Sequence, residues 1–241
     1  MLWLVLACTR PADVPTDLAP PAGTGDTADT GTPPVDELVV LSLNLHCLKL
    51  DGTPFADNPA RMAHVAAFVA DHEVDALLLQ EVCDGDEDAT GLLQQALTDA
   101  TGVVFGNSWA YAHDAWVGTA DEAREGLAIF TRGEVDLAMP FDFVSPGVLR
   151  RVGVVRRLVG GPTLVSVHLD YDDELAREDQ ARQAASWGLA IGGVDALIAG
   201  DLNARIGEPP HQALLDQGYE DATAGLPAGH IDHLLVHQNT T

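Results

Sequence analysis

VDALLLQEV, residues 74–82, is apolar for most of its length and then ends on a carboxylate, Glu81. A run without polar alternation reads as a strand covered on both faces. A charge at the end of such a run is costly unless something pairs with it. The same design recurs in LSLNLH (41–46), EGLAIFTR (125–132), VSVHLD (165–170), IAGDLNA (198–204) and HIDHLLV (230–236). Their polar ends deliver Asn44, Glu125, His168, Asp201, Asn203 and Asp232. Asp201 and Asn203 stand two apart, so they share one side of a strand end, as do His168 and Asp170. Carboxylates, amides and one imidazole at strand ends make a hard-cation site of the kind used on phosphate esters. Each motif alone has a plainer reading: a turn, a salt bridge or a satisfied structural histidine. The set is what points to a site.

The segments between these runs set the architecture. Met62, Val65, Ala66 and Val69 form the apolar stripe of a helix that Pro59 opens. Residues 86–100 read as a weaker helix, and 173–191 as a helix closed by Gly192-Gly193. WAYAH (109–113) is a further strand. Residues 150–159, Gly160-Gly161-Pro162 and TLVSVHLD read as strand, turn, strand. Residues 209–216 make a short helix with two prolines at its start. Hairpins mixed with helices fit two packed sheets with helices outside, an α/β arrangement, better than one doubly wound parallel sheet.

With 241 residues the chain is long enough for one domain with a large core. There are 12 Lys+Arg against 37 Asp+Glu, for a formal net charge of −25. Such a surface repels polyanions, and stable binding to duplex DNA, which needs many basic contacts to phosphate, is not expected. A divalent cation reverses the sign locally, so cleavage of a phosphodiester stays open. The cysteines are Cys8, Cys47 and Cys83. Cys47 and Cys83 follow the two strand ends that carry Asn44 and Glu81. If those strands are neighbours, the thiols can form a disulfide, which needs an oxidising compartment; the alternative is two free, partly buried thiols.

MLWLVLAC, residues 1–8, resembles a short signal peptide ending in a lipobox, with Cys8 as the lipidated residue, although no Lys or Arg precedes the apolar run. Residues 9–36, rich in Pro, Thr, Gly, Asp and Ala, cannot bury enough surface to offset their ordering entropy and read as a disordered tether. The layout expected is a lipoprotein, attached to a membrane through Cys8 on the bacterial surface or its periplasmic face, or else a secreted chain, with a monomeric domain over 37–241.

Together and in this order, the segments resemble the endonuclease/exonuclease/phosphatase superfamily, whose fold is that of pancreatic DNase I. The resemblance spans about residues 37–237. It implies a four-layer α/β/β/α sandwich with its site at one edge of the two sheets, and Mg²⁺, sometimes Mn²⁺, as cofactor. It implies Glu81 as the principal metal ligand, with Asn44 beside it. Glu125 and His168 match a carboxylate–histidine pair in which the acid orients the ring and favours its protonated form. Asp201 and Asn203 match a GDxN motif whose Asp prepares the attacking water and whose Asn holds the phosphate. Arg177 and Gln180 match a structural RxxQ pattern. Asp232 matches an acid that orients a second histidine in a downstream SDH motif. No SDH follows before Thr241, so the domain is expected to be C-terminally incomplete or to have lost that histidine. The function implied is a hydrolase of phosphate esters, most simply a phosphodiesterase acting on nucleic acid or phospholipid. The alternative is a non-catalytic surface-binding domain on the same fold. Trp109, Tyr111, Trp116, Phe141 and Phe143, on segments expected to wall the substrate, would stack on bases or enter a lipid interface, or simply pack in the core.

Overall fold

The computed structural model describes residues 4–9 (backbone alone), 37–48, 58–84, 88–120, 122–144, 147–227 and 229–238. The expected leader and tether therefore lie outside the described residues, except for the backbone of Leu4–Thr9. In chain order the elements are β1 (Leu4–Thr9), β2 (Glu37–Asn44), α1 (Asn58–Asp71), β3 (Ala76–Asp84), α2 (Ala89–Thr101), β4 (Gly106–Ala115) and β5 (Ala123–Thr131). They continue with β6 (Val135–Asp142), β7 (Val152–Leu158), β8 (Thr163–His168), α3 (Glu174–Gly192), β9 (Ala196–Asp201), α4 (Pro209–Leu215), β10 (Tyr219–Asp221) and β11 (Asp232–His237).

The strands form a five-stranded sheet in the order β1-β2-β3-β5-β4 and a six-stranded sheet in the order β10-β11-β9-β8-β7-β6. Each sheet has one parallel pair among the described strands, β2 with β3 and β8 with β9, and antiparallel pairs elsewhere. Strand periodicity explains why the central strands are apolar throughout. In β3, Leu77 and Leu79 pack under α1 and α2, while Ala76 and Leu78 face the second sheet. In β9, Ile198 packs under α3 and α4, while Leu197 and Ala199 face the first sheet. The layers are thus α/β/β/α. The stripe read in α1 is the buried one: Met62, Val65, Ala66 and Val69 are at most 2% exposed.

Caps set the helix ends. Asp88 accepts a hydrogen bond from the Gly91 N–H at the start of α2, and Asp173 accepts one from the Ala176 N–H at the start of α3. Arg177 and Gln180 are buried and structural: Gln180 Oε1 accepts from the Asp170 N–H, and Arg177 Nη1 donates to the Asp170 carbonyl. Between the sheets, buried Gln80 donates through Nε2 to Ser166 Oγ at 3.3 Å, a polar rivet one residue before Glu81. Gly200 sits at φ +145°, and a Cβ there would lie 1.9 Å from the Val167 carbonyl oxygen. Only glycine lets β8 and β9 meet so closely, one residue before Asp201.

Two strands escape the pattern of the sequence. β6 carries Pro140 and lies at the edge of its sheet, the position where a strand tolerates proline. β10 is only three residues long. Of the readings open for Phe141 and Phe143, packing is the one seen: both rings lie on Trp187 of α3, with centroids 4.9 and 4.5 Å apart. Trp109 is likewise a packing residue, its indole N–H donating to the Val82 carbonyl.

Candidate active site

Every residue of the expected constellation lies at one edge of the sandwich. Asn44, Glu81, His168 and Asp201 stand at or near the C-terminal ends of β2, β3, β8 and β9. Glu125 and Asp232 stand at or near the starts of β5 and β11, which run antiparallel to their neighbours and so begin where those strands end. Asp232 pairs directly with Asp201 across the β11–β9 ladder. A bulge between Leu79 and Val82 turns Glu81 out of the ladder, and Glu81 adopts φ 48°. Asn203, His46, Cys47 and Trp116 also have positive φ, between 44° and 50°.

Asn44 joins the two sheets. Its Nδ2 donates to Glu81 Oε1 at 2.8 Å and to Asp201 Oδ2 at 3.3 Å, while its Oδ1 accepts from the His46 N–H. Ligation of a cation by the Asn44 oxygen would require that amide to turn over. As placed, Asn44 is the strut that fixes the separation of the two carboxylates. The second oxygen of Glu81 faces His46 Nδ1 at 3.2 Å, and the His46 ring meets Trp116 edge-on at 6.3 Å. Asp201 Oδ1 accepts from the Asn203 N–H at 2.7 Å, and Asn203 Nδ2 donates to the Leu169 carbonyl. The plainer reading of this motif, a turn, and the site geometry are therefore both present.

One expected pair is not formed. Glu125 Oε1 lies 3.4 Å from His113 Nε2 and 3.8 Å from Arg151 Nη1. His168 Nδ1 instead faces Arg151 Nη1 at 3.3 Å. Arg151, 3% exposed, is thus wedged between the acid and the ring that were expected to touch. A guanidinium only donates, so His168 Nδ1 must be the accepting nitrogen and the proton sits on Nε2. That N–H points toward Asp201 Oδ2, 3.9 Å away. Burial, then Arg151 and His113, hold the His168 imidazole well below its ordinary pKa. The expectation of a protonated histidine is corrected: His168 is a neutral N–H donor.

Sequence reading passed over Arg151, His113 and His46. Arg151 belongs to an Arg150-Arg151 doublet that looks like surface charge, and only the fold reveals its burial. Tyr171, half exposed, lies 5.8 Å from the Arg151 guanidinium. Cys47 and Cys83 form a disulfide directly behind the site, and Cys47 Sγ lies 3.6 Å from Glu125 Oε2. Of the two readings left open for these thiols, the structure has the bonded one.

The carboxylates are ill at ease without a cation. Burial, then the nearby Glu81 charge, pushes Glu125 up to about 7 against the opposing pull of Arg151. Burial, then Asp232, pushes Asp201 up to about 7. Asp232 is raised by burial as well, and its Oδ1 is buried without a hydrogen-bond partner among the described residues. Clustered acids, oxygen donors and an orphaned buried oxygen fit a hard divalent cation.

A pH dependence follows. In the cation-free protein, Glu125 and Asp201 hold protons that the unfolded chain has released above its ordinary carboxylate range. Their stabilising contribution is complete below that range and is lost as pH rises through about 7. The melting temperature of chelator-treated protein is expected to fall between about pH 5 and about pH 8, with added Mg²⁺ or Mn²⁺ restoring it at the upper pH and doing little at the lower. A thermal scan at the two pH values checks this; an unchanged melting temperature in all four conditions would contradict it.

Residues 41–241 match the model of the Endonuclease/Exonuclease/phosphatase family. No curated protein matches the chain. Among solved structures, a family protein from Bacteroides thetaiotaomicron is similar with a TM-score of 0.65 and 18% identity, over 83% of this chain and 81% of that one. A mannosyl-6-phosphatase from B. thetaiotaomicron VPI-5482 has a TM-score of 0.61 and 18% identity, over 84% and 86%. Sphingomyelinase C from Streptomyces griseocarneus has a TM-score of 0.57 and 18% identity, over 83% of each chain. At such identities the likeness concerns the fold.

Proposed function

The chain belongs to the endonuclease/exonuclease/phosphatase family, and from that premise we propose that it is a divalent-cation-dependent phosphodiesterase. The observation that carries this reading is the Asn44 amide, which holds Glu81 of one sheet and Asp201 of the other within reach of one ion and one phosphate. Glu81 is the residue that would hold the cation, Mg²⁺ or Mn²⁺, with Asn44 alongside. The bound ion supplies charge neutralisation of the phosphoryl group and of the leaving oxygen. Asp201, fixed by the Asn203 and Asn44 N–H groups, orients water and takes its proton. His168 donates its Nε2–H to a phosphoryl oxygen, and Asn203 holds the same group in register. Asp232 stands beside Asp201 and keeps its proton acceptor basic. Glu125 neutralises Arg151, whose position in turn sets the His168 tautomer.

Charge favours a diester. A diester carries one negative charge, a monoester closer to two, and the site is acidic apart from buried Arg151. The formal net charge of −25 weighs against a polynucleotide and toward a phospholipid headgroup or another small diester. The expected result is cation-dependent hydrolysis of bis(p-nitrophenyl) phosphate at a kcat/KM at least about tenfold above that for p-nitrophenyl phosphate, abolished by chelation. No cation-dependent cleavage of either ester would favour a non-catalytic binding domain.

The Cys47–Cys83 disulfide supports an oxidising compartment. With Cys8 as a lipid-bearing N-terminus, which would remove Leu4–Ala7 from β1 and leave β2 at the edge of its sheet, the domain would work as a monomer on the outer side of a bacterial membrane.

A further inference from the structure

Behind the site, and outside the mechanism above, four segments meet at one buried cluster. His233 of β11 is fully buried, His211 of α4 is 2% exposed, and the Asp221 side chain of β10 is 2% exposed. His233 Nδ1 lies 2.9 Å from Asp221 Oδ2, and His233 Nε2 lies 2.8 Å from the Ala204 carbonyl oxygen. His211 Nε2 lies 3.1 Å from the same Asp221 Oδ2, and His211 Nδ1 accepts from the Gly207 N–H at 3.2 Å. Asp221 Oδ1 accepts from the Thr223 N–H and hydroxyl. The fourth segment is the turn that follows Asp201 and Asn203, reached through Ala204.

The protons can be counted. A carbonyl oxygen only accepts, so His233 Nε2 carries a proton. A carboxylate oxygen also accepts, so His233 Nδ1 carries one too. His211 differs: its Nδ1 receives an N–H, so its single proton is on Nε2 and is given to Asp221. With His233 as an imidazolium, each ring N–H of His233 and His211 meets an acceptor, and the Asp221 carboxylate balances the His233 charge. Buried charge persists where it is both paired and fully hydrogen-bonded. A metal ion between the same side chains fits less well. A metal on His211 Nε2 would move that ring's proton to Nδ1, against the Gly207 N–H.

We propose that His233 is a positioning residue: a buried imidazolium that, by gripping Asp221 and the Ala204 carbonyl at once, holds the Asp201–Ala204 turn and neighbouring Asp232 in place for the reaction. The groups that face it are Asp221 from β10, His211 from α4 and the His230 ring, 4.8 Å away, from the segment before β11, with Asp232 next to it on its own strand. Its positive charge also opposes the upward shift that burial imposes on Asp232. Fully satisfied networks of this kind are rigid, and rigidity one residue from Asn203 and one from Asp232 is what an in-line attack needs.

Histidine-labelled wild-type protein tests the protonation state directly. Nitrogen NMR at neutral pH is expected to show a bonded proton on both ring nitrogens of His233 and on only one of His211. Asp221→Asn should remove the second His233 proton. A single protonated nitrogen on His233, or stoichiometric zinc or another transition metal in the purified protein, would overturn the proposal. The kinetic arm rests on the hydrolase reading. Folded His233→Leu should lose about tenfold or more in kcat with the Mn²⁺ dissociation constant unchanged, and His233→Gln, which keeps two N–H donors, should recover most of it. Folded His233→Leu with wild-type kcat would also overturn the proposal. Wild-type protein that hydrolyses nothing but shows the doubly protonated ring would defeat the hydrolase reading and leave the imidazolium standing.

Discussion

Glu81→Gln is expected to lower cation-dependent diester hydrolysis by at least about a thousandfold, with Mn²⁺ affinity falling in parallel. The exchange keeps the shape of the side chain and the bond from Asn44 Nδ2 to one oxygen. It removes the charge at the β3 bulge, and a neutral amide is a poor ligand for a hard cation. It also removes a negative charge that pushes Glu125 and Asp201 upward. The variant should therefore be at least as stable as the wild type near neutral pH without cation. Calorimetric titration with Mn²⁺, a diester assay and a thermal scan measure the three quantities. Full activity at saturating cation would remove Glu81 from the site.

Asp201→Asn is expected to separate binding from chemistry. The amide keeps an acceptor for the Asn203 N–H but cannot take a proton from water, so kcat should fall by about 10²–10⁴. Glu81 remains, and the Mn²⁺ dissociation constant should change far less than in Glu81→Gln. Loss of cation binding with no separate loss of kcat at saturation would reassign Asp201 from base to ligand.

The fold was legible where burial on two faces left its mark. β3, β8 and β9 are apolar at alternating positions for two different reasons, one face meeting helices and the other a second sheet, and the result is an uninterrupted run. The polar residues that end those runs were legible for the same reason, since each stands out against its strand. Partners on neighbouring strands left no such mark. Arg151 reaches Glu125 and His168 through space from the start of β7, and nothing in Arg150-Arg151 distinguishes the buried guanidinium from the exposed one. His113 sits in β4 at a bulge between Tyr111 and His113, where the ladder's register shifts and simple alternation fails. Asp221 belongs to a strand too short to carry a period. Resemblance supplied a carboxylate–histidine pair, and the packing of Arg151 replaced it with an acid–guanidinium–imidazole relay.

The backbone at the catalytic edge has a cost of its own. Of the six non-glycine residues with positive φ among the described residues, His46, Cys47, Glu81, Trp116 and Asn203 belong to the site or its wall, and only Glu73 does not. Each such residue forgoes roughly 1–2 kcal/mol relative to glycine. Selection for durability and selection for turnover therefore pull against each other at these positions. A lineage that no longer needed the chemistry would be free to become sturdier there, so glycines at these positions in a related chain would mark a retired enzyme.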